Sequence, residues 1–525
     1  MRNYLEVFHF LVPGQKDYGA NRLCYASLLI RAAILENDHE TVRKQLTEIL
    51  DMYEYCDDGF NDGQGFYSDG TYIFHTRHPM NATYGYEFFR RSVELCLLFD
   101  GTELALPDEV KEKLIHWYKT AFIPIVQHGA VIRSMLGREP GEADLIANGI
   151  VHMGQSVLQL APDDKQIQMF VNGEKAELTQ LYYFCDKAVH AKKDYSFVLS
   201  MSSSRIYNYE CINSQNMTGW YISDGMTGIY NENNRYLGDY WDRVNPYLIP
   251  GTTVDTQKRS AATIRQSNEY LSSEDFVGGA VLDEKYMTAV MCLESYHSDG
   301  NFVPDDKFAG SPLEYGGPPP KHDCTLKAKK AWFCFDDEIV CLGTDIHAED
   351  GYPVLTVVEN LPVENCGKSY CTEQKLWLEN IGTYVAMDNH RFQYRQDNGF
   401  VTALIEHGIS PKDEGYAYVI VPKKAKCAYG TENLSDKTVH SEILVNNSRL
   451  QAVRCGNVTG FVFYEAGEFC GVEADQPCIV MMSENEISFS DPTHKLEQLT
   501  VKVKGQEFKL LPQYGESICI ELNKD

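Results

Sequence analysis

The sequence predicts an α+β multidomain chain in which a helical region precedes a long all-β region, and three observations predict it. Up to about residue 175, apolar residues recur at helical spacing over 23–36, 40–53, 86–99, 108–120 and 142–160. After about residue 178 the pattern turns to short alternating stretches rich in Val, Ile, Tyr and Phe. YSFVLSMSS, KYMTAVMCL, KAWFCFDDEIVCLG, GYAYVIVP and PCIVMMS are examples, each bounded by turn residues. The length, 525 residues, is enough for two to four domains that each bury a core. Helices followed by strands imply separate α and β domains rather than alternating units.

Taken in order, the helical segments are separated by loops rich in Gly, Asp and Asn, notably DDGFNDGQGFYSDGTYIFH (57–75) and GREPGE (137–142). A first boundary falls near residue 178. A second, near 435, rests on the polar stretch TENLSDKTVHSE. The expected domains are therefore 1–178, 179–435 and 436–525. No repeat of 20 to 50 residues is evident.

The formal net charge of −28 argues against nucleic acid or an anionic membrane as the main partner, although a local field in a cleft can oppose the global sign. No apolar run is long enough to span a bilayer. The N-terminal MRNYLEVFHFLVPGQKDYG lacks the succession of regions that makes a signal peptide. The 16 cysteines are scattered without metal-type spacing, several in apolar settings such as SVELCLLF and WFCF, and read as structural free thiols. No cofactor is expected, and calcium at loop carboxylates has no EF-hand-like spacing behind it.

Two stretches carry chemistry-bearing residues. The first, 57–90, is a long aromatic, glycine-rich loop ending in HTRHPMNATYGYEFF. His75 and Tyr84 are nine residues apart, enough for the chain to fold back and turn both toward one cleft. The alternative is a packed Ω-loop whose aromatics fill its own core. His75-x-x-His78 as a metal pair finds no third ligand at suggestive spacing. The second stretch, 201–255, holds seven Asn, seven Tyr and two Trp. Rings with interleaved amides suit a sugar site, because sugar faces stack on rings and hydroxyls need planar hydrogen-bond partners. The alternative is a turn-rich β-meander whose rings are core and edge residues.

SMSSSRIYNYECINSQNMTGWYISDGMTGIYN, DYWDRVNPYLIPGTTVD, DGTYIFHTRHPMNATYGYEFF, YGANRLCYASLLI, AKKAWFCFDDEIVCLGTDI and ISFSDPT resemble the signature of polysaccharide lyase family 8, the hyaluronate, chondroitin AC and xanthan lyases. The matches are collinear from about residue 17 to residue 493. The resemblance implies a partial α/α toroid, a large antiparallel β-sandwich and a C-terminal β-sandwich. It places the family's catalytic asparagine on Asn21, its histidine on His75, its tyrosine on Tyr84, a cleft arginine on Arg138, and a supporting glutamate and asparagine on Glu210 and Asn213. Arg133 and Trp220 complete the expected substrate-binding set. The implied partner is an acidic polysaccharide, and secretion is what the family implies.

The chemistry so implied is β-elimination. A proton α to a uronate carboxylate is too weakly acidic for a base alone. Asn21 and His75 would neutralise the carboxylate by hydrogen bonding, while Tyr84 removes the C5 proton and returns it to the leaving oxygen. Free tyrosine has a pKa of about 10, so a nearby Arg138, held by Glu210, would favour the phenolate. An alternative gives His75 the base role and leaves Tyr84 as acid. Two departures from the family pattern stand out. The chain begins inside the family's helical domain, without an upstream Asn-Trp-Trp segment, which implies an absent N-terminal portion or a companion chain. Glu142 also stands where the family commonly has a second arginine, which would weaken uronate or sulfate binding or signal a different glycan. A non-catalytic glycan-binding remnant is thus the competing reading, and a glycoside hydrolase a third, without a carboxylate pair to support it.

Overall fold

The computed structural model describes residues 19–59, 63–211, 214–259, 261, 269–294, 324–387, 389–422 and 439–522. The chain divides into two compact units: residues 1–137 with 142–176, and residues 138–141 with 177–525.

In the first unit, helices run over Gly19–Leu35, His39–Glu48, Tyr86–Phe99, Asp108–Trp117, Ala143–Leu160 and Lys165–Val171. The first five coincide with the periodic segments. The segment over 40–53 is divided, its last turn closing as a tighter 3₁₀ turn at Leu50–Tyr53. The helix at 108–117 passes into a wider π-type turn at Tyr118–Phe122. The sixth helix was not expected, because DDKQIQMF is too polar to show a period. It is started by Asp164, whose carboxylate accepts from the Ile167 backbone N–H (3.0 Å) and from Lys119 Nζ (3.0 Å).

The core of this unit is aromatic. Phe66, from the long loop, stacks on Trp117 with ring centroids 4.1 Å apart, and Tyr53 and Phe88 close around the same indole at 6.3 Å. Trp117 is fully buried. Phe66 and Tyr72 of the 57–75 stretch thus pack into the helical core, on Trp117 and Phe88, rather than into a core of the loop's own.

The second unit is built of antiparallel sheets. A four-stranded sheet (Leu178–Tyr182, Lys187–Ala191, Ser196–Ser200, Met226–Tyr230) precedes an eight-stranded sheet. Four strands, Val277–Leu282, Tyr286–Glu294, Lys327–Cys334 and Ile339–His347, form one side of the larger sheet in chain order. Glu414–Pro422 then joins them to Gly382–Ala386, Lys375–Leu378 and Ser369–Cys371. A six-stranded C-terminal sheet includes Val458–Phe463 and Cys478–Met482. It is buried on both faces. Val453, Val462 and Met481 pack with Val290, Phe333 and Leu342 of the eight-stranded sheet. Phe461, Val480 and Phe489 pack with Val472 and Val501 of the last four-stranded sheet. Two-sided burial explains why GFVFYEA and PCIVMMS read as continuous apolar runs. The boundary expected near 435 lies outside the described residues.

One buried cation ties loops to this framework. Lys330 Nζ donates to the carbonyl oxygens of Asp224 (3.0 Å) and Gly251 (2.7 Å), and burial draws its ammonium down to about 7.

Candidate active site

Tyr72–Phe74 is the central strand of a three-stranded sheet, paired on one side with Gly65–Phe66 and on the other with His78–Pro79. The tip between Phe74 and His78 is tight. His75 and Thr76 both adopt left-handed backbone conformations (φ 46° and 73°), uncommon outside glycine and a recurrent feature of functional loops. The His75 carbonyl accepts from the Arg77 N–H (3.0 Å) and from Nδ1–H of His78 (2.8 Å). His78 is buried and bonded to backbone, so it supports the tip rather than chelating beside His75.

Tyr84 lies in a π-type turn, Asn81–Gly85, that feeds the helix Tyr86–Phe99. Fully buried Asn81 locks the turn. Its Oδ1 accepts from the Tyr72 N–H (2.9 Å), and its Nδ2 donates to the carbonyls of Gly70 (2.8 Å) and Ala121 (3.3 Å). The turn and the strand are thereby one assembly. The result is a ring contact: His75 and Tyr84 lie 4.9 Å apart, edge to face. Phe74 serves as their common floor, 4.8 Å from His75 and 4.6 Å from Tyr84. The His75 and Tyr84 rings are both half-buried.

Asn21 is exposed in the first turn of the helix Gly19–Leu35. That helix begins against the same strand. A Cβ at Gly19 (φ 55°) would lie 2.5 Å from the Tyr72 hydroxyl and 3.0 Å from Phe74 Cε2, so only glycine permits this approach. The helix also packs on the Asn81–Gly85 turn. The elements bearing Asn21, His75 and Tyr84 thus converge on Phe74. Arg133, in the same unit, is 2% exposed and donates from Nη1 to the Gly137 carbonyl (2.7 Å), which makes it a brace of the loop leading to residue 138.

In the second unit, Arg138 Nη1 donates to Glu210 Oε1 (2.7 Å) and the Arg138 backbone N–H to Glu210 Oε2 (3.2 Å), while Nε donates to Gln215 Oε1 (3.0 Å). The Arg138 and Glu210 side chains are 11% and 4% exposed. The expected Arg138–Glu210 pair is present as a short, charge-assisted bond. Gln215 is a partner that sequence reasoning missed. Asn213 lies outside the described residues. Glu142 is exposed at the start of the helix Ala143–Leu160.

Of the two readings of 201–255, the rings follow the β-meander one, and the expectation of Trp220 as a substrate contact needs correction. Tyr209, Trp220, Tyr221, Tyr230, Tyr236 and Tyr240 are all buried. Trp220 packs on Tyr247 (5.3 Å) and Tyr221 (6.4 Å). The amides serve the fold as well: Asn208 donates to the Trp220 carbonyl (3.0 Å), and Asn234 donates to that of Ile229 (2.8 Å). Of the seven tyrosines and two tryptophans, only Tyr207, Trp241 and Tyr247 keep partial exposure.

Asp255, Cys324 and Asp350 are the one cluster among the described residues that could bring three metal-ligating atoms together. Its central member is already engaged. Asp255 accepts from the Cys324 thiol (3.1 Å) and the Tyr221 hydroxyl (3.3 Å) and faces Arg259 at 3.6 Å.

Comparison with known proteins points in one direction. Residues 8–141 match the polysaccharide lyase family 8 N-terminal alpha-helical domain, residues 177–381 its super-sandwich domain, and residues 442–500 its C-terminal beta-sandwich domain. The hyaluronate lyase HylB of Enterococcus faecalis is 24% identical over 94% of this chain and 55% of its own length. The xanthan lyase of a Bacillus species is 26% identical over 86% of this chain and 54% of its own length. The chain thus spans about half the length of these relatives. Among solved structures, Paenibacillus xanthan lyase superposes with a TM-score of 0.77 at 23% identity, covering 99% of this chain and 58% of that one. The chondroitin AC lyase of Streptomyces coelicolor, solved in complex with chondroitin sulphate, superposes with a TM-score of 0.77 at 20% identity, covering 97% and 78%. These structural likenesses concern the fold.

Proposed function

Because the chain belongs to polysaccharide lyase family 8, we propose that it cleaves a uronic-acid-containing glycan of the hyaluronan, chondroitin or xanthan type by β-elimination. The observation that carries this reading is the ring-to-ring placement of His75 and Tyr84 on Phe74, with the helix start bearing Asn21 packed against the same strand.

The steps follow from the chemistry. The substrate carboxylate accepts hydrogen bonds from the Asn21 amide and the His75 imidazole, which withdraws negative charge and stabilises the carbanion as an aci-carboxylate. The Tyr84 side-chain oxygen takes the C5 proton. The C4–O bond then breaks, a C4=C5 double bond forms, and Tyr84 returns the proton to the departing oxygen. No water enters the products. Arg138 supplies the positive charge that a polyanionic glycan requires, and Glu210 holds it. Arg133 and Trp220 act on substrate only indirectly, through the loops they brace. Asn213 is carried as a substrate contact on the strength of the family motif alone.

The test is direct. Incubation with hyaluronan, chondroitin or a xanthan-type substrate should generate ultraviolet absorbance from a double bond conjugated to a carboxylate, with oligosaccharides one water lighter by mass than hydrolysis would give. Saturated products of hydrolytic mass would contradict the reading, and binding of the glycan with no cleavage would leave only the glycan-binding alternative.

A further inference from the structure

Arg138 is assigned to the negative charge of the substrate, yet one ion pair does not aim a guanidinium. We propose that Gln215 is a positioning residue that orients Arg138 toward the anionic glycan, and that the turn around it is built for that purpose. The inference rests on the reading of Arg138 as a substrate-binding residue and deepens it.

Geometry is the first argument. Glu210 Oε1 meets Nη1, the terminal nitrogen on the Cδ side of the guanidinium, at 2.7 Å. Gln215 Oε1 meets Nε–H, which points from the other edge, at 3.0 Å. A planar group gripped on opposite edges cannot rotate about its Cδ–Nε bond, whereas either contact alone leaves that freedom. The two acceptors come from one stretch of chain and reach an arginine more than 70 residues earlier.

Charge is the second argument. Glu210 already offsets the positive charge of Arg138. A second carboxylate on Nε would leave net negative charge where a polyanion must bind, while the neutral amide of Gln215 supplies an acceptor without that cost. Gln215 itself is exposed, so its bond contributes little to the stability of the fold.

The third argument is the turn. Ser214 and Asn216, on either side of Gln215, both hold left-handed backbone conformations (φ 63° and 52°), which serine in particular rarely adopts. Asn216 Nδ2 donates to the Glu210 carbonyl (2.8 Å), so one side chain links the residue that pairs with Arg138 to the turn that presents Gln215. A Cβ at Gly219 would lie 2.6 Å from Asn216 Oδ1, so glycine is needed there for Asn216 to keep this place.

The experiment compares four proteins, wild type, Q215M, Q215E and R138A, each as the full chain. It measures the affinity for a uronate oligosaccharide across a salt series, together with kcat, KM and Tm. Q215M keeps the size of the side chain and every charge but loses the acceptor. It should bind about tenfold more weakly, as for loss of one bond to a charged group, with Tm and the salt dependence unchanged. Q215E keeps the acceptor but adds an anion. It should weaken binding with a shallower salt dependence, because less net attraction remains to be screened. A Q215M protein with wild-type affinity and KM would overturn the proposal, as would one whose Tm falls in step with its affinity. R138A separates the two layers. If R138A binds as tightly as wild type, the assignment of Arg138 fails and takes the inference with it. If R138A is impaired while Q215M is not, only the inference fails.

Discussion

At the scale of single residues, Asn21, His75 and Tyr84 carry the proposed chemistry, and Asn21 has a distinct expected signature. Asn21→Ala removes one donor to the developing aci-carboxylate and should lower kcat by about 10²–10³, with little change in KM or Tm because Asn21 is exposed. An unchanged kcat would remove Asn21 from the mechanism. Asn21, His75 and Tyr84 were read as candidates from the likeness of YGAN and FHTRHPMNATYG to the family motifs, and the closeness of His75 and Tyr84 in sequence agrees with their ring contact. The use of the rings in 201–255 was not legible. Composition reports how many aromatics a segment holds but not which way they face, and Trp220 turned inward onto Tyr247. Gln215 escaped notice for a related reason: its partner is 77 residues away, and no local pattern marks such a pairing.

At the scale of elements, the site depends on a hairpin and a turn joined through Asn81. The helices were readable from their period, and the helix Tyr86–Phe99 coincides with its predicted span. The wide turn Asn81–Gly85 that precedes it was not readable, because it is set by bonds to Gly70, Tyr72 and Ala121 rather than by propensity. Asn81→Ala should leave the Tyr72 N–H and the Gly70 carbonyl without their side-chain partner in a dry interior. A loss of about 2–6 kcal/mol in stability follows if each of these two orphaned groups costs roughly 1–3 kcal/mol, with activity falling below what the lower Tm explains. Denaturant melts and specific activity at a temperature where both proteins are folded would check it; a variant of normal stability and full activity would show that the turn holds without its lock.

At the scale of the whole molecule, the strand-rich half was legible as β from its alternation, but its layering was not. The six-stranded sheet is covered on both sides, and a continuous apolar run states burial without naming the partner sheet. The same burial makes stability depend on pH. Glu359, enclosed with Tyr384 as donor to its carboxylate, is pushed up to about 7, chiefly by burial. Its folded pKa lies above the unfolded value of roughly 4.3. The native state therefore holds this proton more tightly, and stability associated with it is present at low pH and lost as pH rises from about 4.3 toward 7. Glu359→Gln should flatten that part of the pH–stability curve and raise Tm at pH 8; an unaltered curve would place the titration elsewhere. The central claim, that Tyr84 moves the proton in an elimination, is tested most directly by the rate of unsaturated product formation from wild type and Tyr84→Phe at matched folding, judged by circular dichroism and Tm. The mechanism predicts that the phenylalanine variant folds normally and forms no unsaturated product above background. Turnover at the wild-type rate in that variant would contradict it.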